Sequence, residues 1–253
     1  MSKKILEKIL EFSFGHLPVE DFESWLYRAK EVEGDIGNEH YVNLISVNYF
    51  EVSQCIKARI YASKVAFMLD NELWVLFYKK FINLLIDLIN IEFRGVVRNG
   101  GITLHQADVL DNRGSMYDFE AASRRDLDCR WKDISQDIIR THPFALPFLD
   151  DAGFSYYIPA YMNYILCEIQ NKMKCDEWLC WNICQALNAD SSQKQSRFAM
   201  FSDGQKKAIS GFLMLLALSN DDDCNPEICE KALLNYWLQV AASAPINNPT
   251  LDF

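Results

Sequence analysis

His105, Asp108 and Asp111 recur at intervals of three residues, one imidazole and two carboxylates, a donor set able to hold a borderline or hard cation. On a helix the first two share a face and the third lies one turn on. No second histidine-containing set adjoins them in sequence to complete a shell, and such spacing is common on solvated helix faces, so no metal ligand is assigned. Cys175, Cys180 and Cys184 offer thiolates, but structural zinc normally takes paired thiolates across a turn, as in C-x-x-C. Inside a helical, tryptophan-rich run they read as small buried apolar residues. Cys129 with His105 or His142 nominally supplies a nucleophile and its base, without a helix N-terminus or glycine-rich elbow to activate the thiol. Phosphate-cradling loops, zincin helices and nucleophile elbows are absent from the sequence. No catalytic residue and no cofactor is assigned, and a metal-dependent or cysteine hydrolase stands as the rival class.

Charge is the stronger signal. Lys and Arg number 25 against 35 Asp and Glu, a formal net charge of -10. That balance repels phosphate backbones and anionic membranes, and it speeds encounter with a cationic protein. Candidate contact residues are Asp126, Asp128, Asp133, Asp150 and Asp151, with Tyr156 and Tyr157, joined by Tyr161, as aromatic anchors. For the carboxylates the plainer alternative is a solvated face, and for the tyrosines it is core packing. Leu73 to Ile91 is the longest apolar-rich run, but Lys79, Lys80, Asn83 and Asp87 break it, which argues against a membrane span. The start, MSKKILEKIL, lacks the apolar stretch and cleavage site of a secretory signal. The expectation is a cytoplasmic protein with reduced thiols.

The elements that must position these residues read as helices, giving a mainly α multi-helix bundle in two closely packed subdomains. The first covers residues 1–95, the second 101–242, and 243–253 forms a mobile tail; Arg94 to Gly101, with three glycines in eight residues, is the expected linker. Apolar spacing at Ile5, Ile9 and Phe12 predicts a short amphipathic helix, and Phe22, Trp25, Leu26 and Ala29 a second. Ser46 to Phe50 suits helix or extended chain equally, whereas Val52 to Leu69 favours helix over a short strand. Leu73, Phe77, Phe81, Leu84 and Leu88 mark one core-facing stripe. Thr103 is a predicted cap, and Ser202 with Gln205 has capping-box spacing. Phe154 to Met173 reads as a long aromatic helix or as a loop entering one at Pro159.

Two stretches are familiar. Residues from about Phe12 to Tyr49, with F-x-x-WLY at Phe22 to Tyr27 and YVNLISVNY at Tyr41 to Tyr49, resemble helical segments of immunity proteins from contact-dependent and polymorphic toxin systems. GITLHQADVLD, Arg130 to Ile134, PFALPFLDDAGFSYYIPAYM, RFAMFSDGQKKAISGFL and Tyr236-Trp237 resemble, in that order, a bacterial domain family of unknown function over residues 101 to about 238. That family brings no established activity. The first resemblance implies a protein that binds a cognate, basic toxin domain, such as a nuclease, and occludes its active site with an acidic surface.

Overall fold

A computed structural model describes residues 2–127 and 129–238. Asp128 and the segment 239–253, which includes the expected tail, lie outside the described residues. The described chain contains α-helices, short 3-10 turns and one π turn, and no strand. The first part comprises α1 (Lys3–Ser13), α2 (Val19–Arg28), α3 (Glu31–Ile36), α4 (Asn38–Ile45), α5 (Val52–Leu69) and α6 (Asn71–Glu92). The second comprises α7 (Leu104–Asp111), α8 (Met116–Ala122), α9 (Gln136–Thr141), α10 (Asp151–Lys172), α11 (Glu177–Leu187), α12 (Ser192–Ala199), α13 (Asp203–Ala217) and α14 (Pro226–Ala232). The ambiguous stretch after Ile45 is a turn, and Val52 begins a helix, as its apolar spacing favours.

Helix α1 buries Ile5, Leu6, Ile9, Leu10 and Phe12 and packs on α5. Phe12 stacks on Phe22 with ring centroids 3.8 Å apart, which fixes α2 against the same core. Asp70 starts α6 by accepting the Leu73 N–H at 3.0 Å. One apolar stripe of α6 then meets α5, α10 and α13. Three polar side chains at this junction are paired. Trp74 Nε1 donates to Ser63 Oγ at 2.8 Å, Ser63 Oγ donates to Leu218 O at 3.1 Å, and Tyr78 Oη donates to Leu215 O at 3.1 Å. These bonds tie residues far apart in sequence, so the two parts share one hydrophobic core running from Ile5 to Leu238.

Helix α10 is the buried axis of the second part, continuous through Pro159, with Phe154, Tyr156, Tyr157, Ile158, Tyr161, Met162 and Leu166 among its buried side chains. Proline removes one helical N–H and normally breaks a helix interior. Burial on nearly every face offsets that defect, and the helix continues to Lys172. Its start is set by two glycines in contact: a Cβ on Gly101 would overlap Gly153 N, and a Cβ on Gly153 would overlap Ile102 O. Asp150 Oδ1 seals the contact by accepting from Gly153 N at 2.8 Å and Ile102 N at 3.0 Å. The chain just ahead of the expected linker is anchored, since Trp131 Nε1 donates to Phe93 O at 2.7 Å. At the far end Trp237 Nε1 donates to Leu187 O at 2.7 Å, and Ser210 Oγ donates to Trp237 O at 3.0 Å. Among the described residues no helix is long and apolar enough to cross a membrane.

Candidate functional site

Thr103 caps α7 in a reciprocal box with Gln106, and this short helix presents His105 and Asp108. His105 meets Asp126 twice: its Nδ1 lies 2.9 Å from Oδ1, and its backbone N–H donates to Oδ2 at 3.2 Å. Asp108 Oδ2 lies 3.2 Å from His142 Nε2, and His142 Nδ1 donates to Ile138 O at 2.8 Å. The two imidazole rings stand edge to face with centroids 4.6 Å apart. Arg98 closes the group from below, donating to Tyr157 Oη at 2.7 Å and to Asp126 O at 3.1 Å, while Tyr161 Oη donates to His142 O.

The tertiary structure thus unites His105, Asp108 and His142, adds Asp126 and Arg98, and leaves Asp111 exposed at the end of α7. Chemically, two imidazole–carboxylate pairs fasten α7 to the chain after α8 and to the end of α9. Their donor atoms do not converge on one point; among the described residues, the group of three or more candidate donors that does converge is Cys175, Cys180 and Cys224. Cys129 is exposed, and its Sγ donates to Leu127 O at 3.8 Å rather than to either imidazole.

The acidic and aromatic contact residues are corrected by burial. Tyr156 and Tyr157 are 0% exposed and Asp126 is 3% exposed, so none of the three can touch a partner of the folded protein. The tyrosines serve the core because α10 is enclosed on nearly all sides, and Asp126 is held inside by His105 and Arg98. Tyr161 is buried as well, and desolvation raises its phenol pKa well above the ordinary value. Asp133, Asp150 and Asp151 are exposed but committed. Asp133 takes a two-pronged contact from Arg130 at 2.8 and 2.9 Å, and those bonds lower its pKa. Asp150 caps α10, and Asp151 Oδ1 accepts from Arg197 Nε at 2.8 Å. Asp128 lies outside the described residues.

A different surface carries unspent apolar groups. Helix α11 buries Leu179, Ile183 and Leu187, which leaves Trp178 61% exposed and Trp181 41% exposed at i and i+3 on its outer face. Trp178 lines a concavity with Asp176, Arg140, Pro143 and the half-exposed Phe144. Trp181 lines a neighbouring one with Pro147, Gln185 and Lys194. Asp176 caps α11, accepting from Leu179 N at 3.0 Å, and Glu177 is exposed beside it. The acidic 3-10 turn Asp222–Cys224 packs against the same helix. Sequence reasoning missed this surface, although two tryptophans three residues apart opposite a Leu-Ile-Leu stripe were the available signal. The thiol expectation is also revised: Cys175 and Cys180, which precede and enter α11, are joined as a disulfide.

Neither the curated proteins nor the solved structures contain a match to this chain. Comparison with protein families finds the Family of unknown function (DUF6714) over residues 82–241, extending the resemblance at residues 101–238 back into the second half of α6. The match takes in the imidazole–carboxylate group, the buried axis α10 and the tryptophan face of α11, and the chain belongs to that family.

Proposed function

We propose that this protein binds and neutralises a cognate bacterial toxin, acting as an immunity protein by occlusion rather than by catalysis. One observation carries the reading: two tryptophans and a phenylalanine stand exposed around shallow concavities on one face, Trp178, Trp181 and Phe144. Large aromatic side chains left in water are costly unless a partner covers them, and Trp is the residue most enriched at the energetic centre of protein contacts. Asp176, Glu177 and the turn Asp222–Cys224 adjoin this centre, and the whole chain carries a net charge of -10. The favoured partner is therefore a basic toxin domain, whose substrate cleft the acidic rim would fill. The expected likeness of residues 12–49 to immunity-protein segments favours the same reading, under which the protein would act in the cytoplasm of the toxin-producing cell.

The test uses the toxin domain that this reading expects a neighbouring reading frame to encode, purified inactive, with affinity measured by surface-immobilised binding. Tight wild-type binding and a loss of at least about 100-fold in the Trp178→Ala/Trp181→Ala double variant are expected, from about 2 kcal/mol or more per central aromatic. Unchanged affinity in that variant removes α11 from the contact. No binding by the wild-type protein, with no protection of cells expressing the active toxin, refutes the neutralisation reading.

A further inference from the structure

Five of the eight cysteines gather around α11: Cys175 just before it, Cys180 and Cys184 on it, Cys224 in the 3-10 turn and Cys229 on α14. The turn and α14 both pack against α11, so segments about fifty residues apart in sequence deliver sulfur to one place. The sulfur atoms of Cys175, Cys180 and Cys224 all lie within 4.8 Å of one another. Beneath them Cys184 Sγ and Cys229 Sγ are 3.1 Å apart, and Cys229 Sγ donates to Cys224 O at 3.6 Å. Asp221 braces the arrangement by accepting the Cys175 N–H on one carboxylate oxygen at 3.1 Å and the Asp223 N–H on the other at 3.3 Å. Toxin binding makes no use of this group.

We propose that the reduced protein holds a zinc-class cation on the thiolates of Cys175, Cys180 and Cys224, and that the metal and the Cys175–Cys180 disulfide are alternative occupants of one three-sulfur cradle. Tetrahedral zinc takes sulfur at about 2.3 Å, which sets sulfurs about 3.8 Å apart, a spacing this cradle reaches with small side-chain rotations. Three soft donors without an imidazole select zinc and its heavier congeners over magnesium or calcium. Cys180 and Cys224 are enclosed at 0% and 1% exposure, whereas Cys175 at 9% forms the rim through which an ion passes and solvent completes the shell. Opening the cradle takes two electrons and two protons from a dithiol, which becomes a disulfide while Cys175 and Cys180 become thiols.

The experiment reduces the purified protein with a trialkylphosphine, which takes the oxygen of water as phosphine oxide, removes it without air, and titrates with cadmium. One cadmium per chain should produce the ultraviolet thiolate-to-metal band, and the unreduced protein should produce none. Cys224→Ser should cut the band to roughly two thirds and weaken binding at least about 10-fold, one thiolate of three being lost. Cys184→Ala should keep the full band. No band in the reduced wild-type protein overturns the proposal, as does a band that Cys184→Ala removes and Cys224→Ser leaves intact. Far-UV circular dichroism checks that Cys224→Ser folds; if its helical signal is lost, Cys180→Ser carries the same test with the same expected loss.

Discussion

Substituting Gly153 by alanine adds one methyl group and should disrupt the start of the protein's central helix. The new Cβ would overlap the Ile102 carbonyl oxygen and stand 2.9 Å from Asp150 Oδ1 and 3.3 Å from Ile102 N. The obstacle on one side is backbone, which cannot rotate away, so the first turn of α10 and the Gly101–Ile102 strand of coil must separate. Overpacking of this kind costs about 1–3 kcal/mol. Separation also weakens the two bonds that Asp150 Oδ1 accepts, from Gly153 N at 2.8 Å and Ile102 N at 3.0 Å. The first is a helix cap of about 1 kcal/mol and the second an ordinary bond of about 1 kcal/mol. A loss of about 3–5 kcal/mol follows, or on the order of 10 °C in melting temperature for a chain of this size. Urea unfolding followed by tryptophan fluorescence measures it. Gly34→Ala is the matched control: it lies on α3 with nothing within 4 Å of its would-be Cβ, and should stabilise by roughly 0.5–1 kcal/mol. A Gly153→Ala loss below about 1 kcal/mol, or one no larger than the control's effect, refutes the close approach.

Three further outcomes are expected. Tyr78→Phe removes the hydroxyl that donates to Leu215 O in a fully enclosed site, and should cost about 1–2 kcal/mol in urea unfolding without changing helical content. Asp126→Ala should lower stability by about 2–4 kcal/mol, since two bonds to His105 are lost from a buried carboxylate, while leaving affinity for the proposed toxin partner within about two-fold; a selective loss of affinity would show that Asp126 acts at the contact. His16 has its pKa lowered from 6.5 by burial, with Lys80 and Arg59 adding repulsion. Below pH 6.5 the unfolded chain therefore takes a proton that the folded chain refuses, so this residue's contribution is full above that pH and declines as pH falls through and below it. His16→Gln should flatten that part of the wild-type stability profile, and parallel profiles for the two proteins would refute the assignment.

Local patterns were sufficient for much of the architecture. The spacing of Leu73, Phe77 and Phe81 marks α6, Ser202 with Gln205 marks the start of α13, and Thr103 marks α7. These features are legible because capping and amphipathic burial act within three or four residues, so side-chain type and interval carry the information. Even so, Pro159 and the aromatic run around it left helix and loop equally open. Only the enclosure of α10 by its neighbours decided in favour of helix.

For the site, the sequence supplied residue types and the fold supplied their roles. His105 and Asp108 were visible as a pair on one helix face, but Asp126 and His142 reach them across chain that turns back through α8 and α9. For the tyrosines of α10 core packing is the plainer sequence reading, yet a contact stays open because an aromatic ring stabilises either by the same burial of apolar area. Which one it does depends on whether another helix is already there. Cys180 and Cys184 share a helix, yet the cradle takes Cys224 in place of Cys184, since sulfur separation is fixed by packing between helices and not by position along one. What the sequence determined alone was therefore the helical alphabet and the surplus of negative charge. The tertiary structure decided which aromatics meet water and which sulfurs meet each other, because those are distances between segments that no local interval encodes.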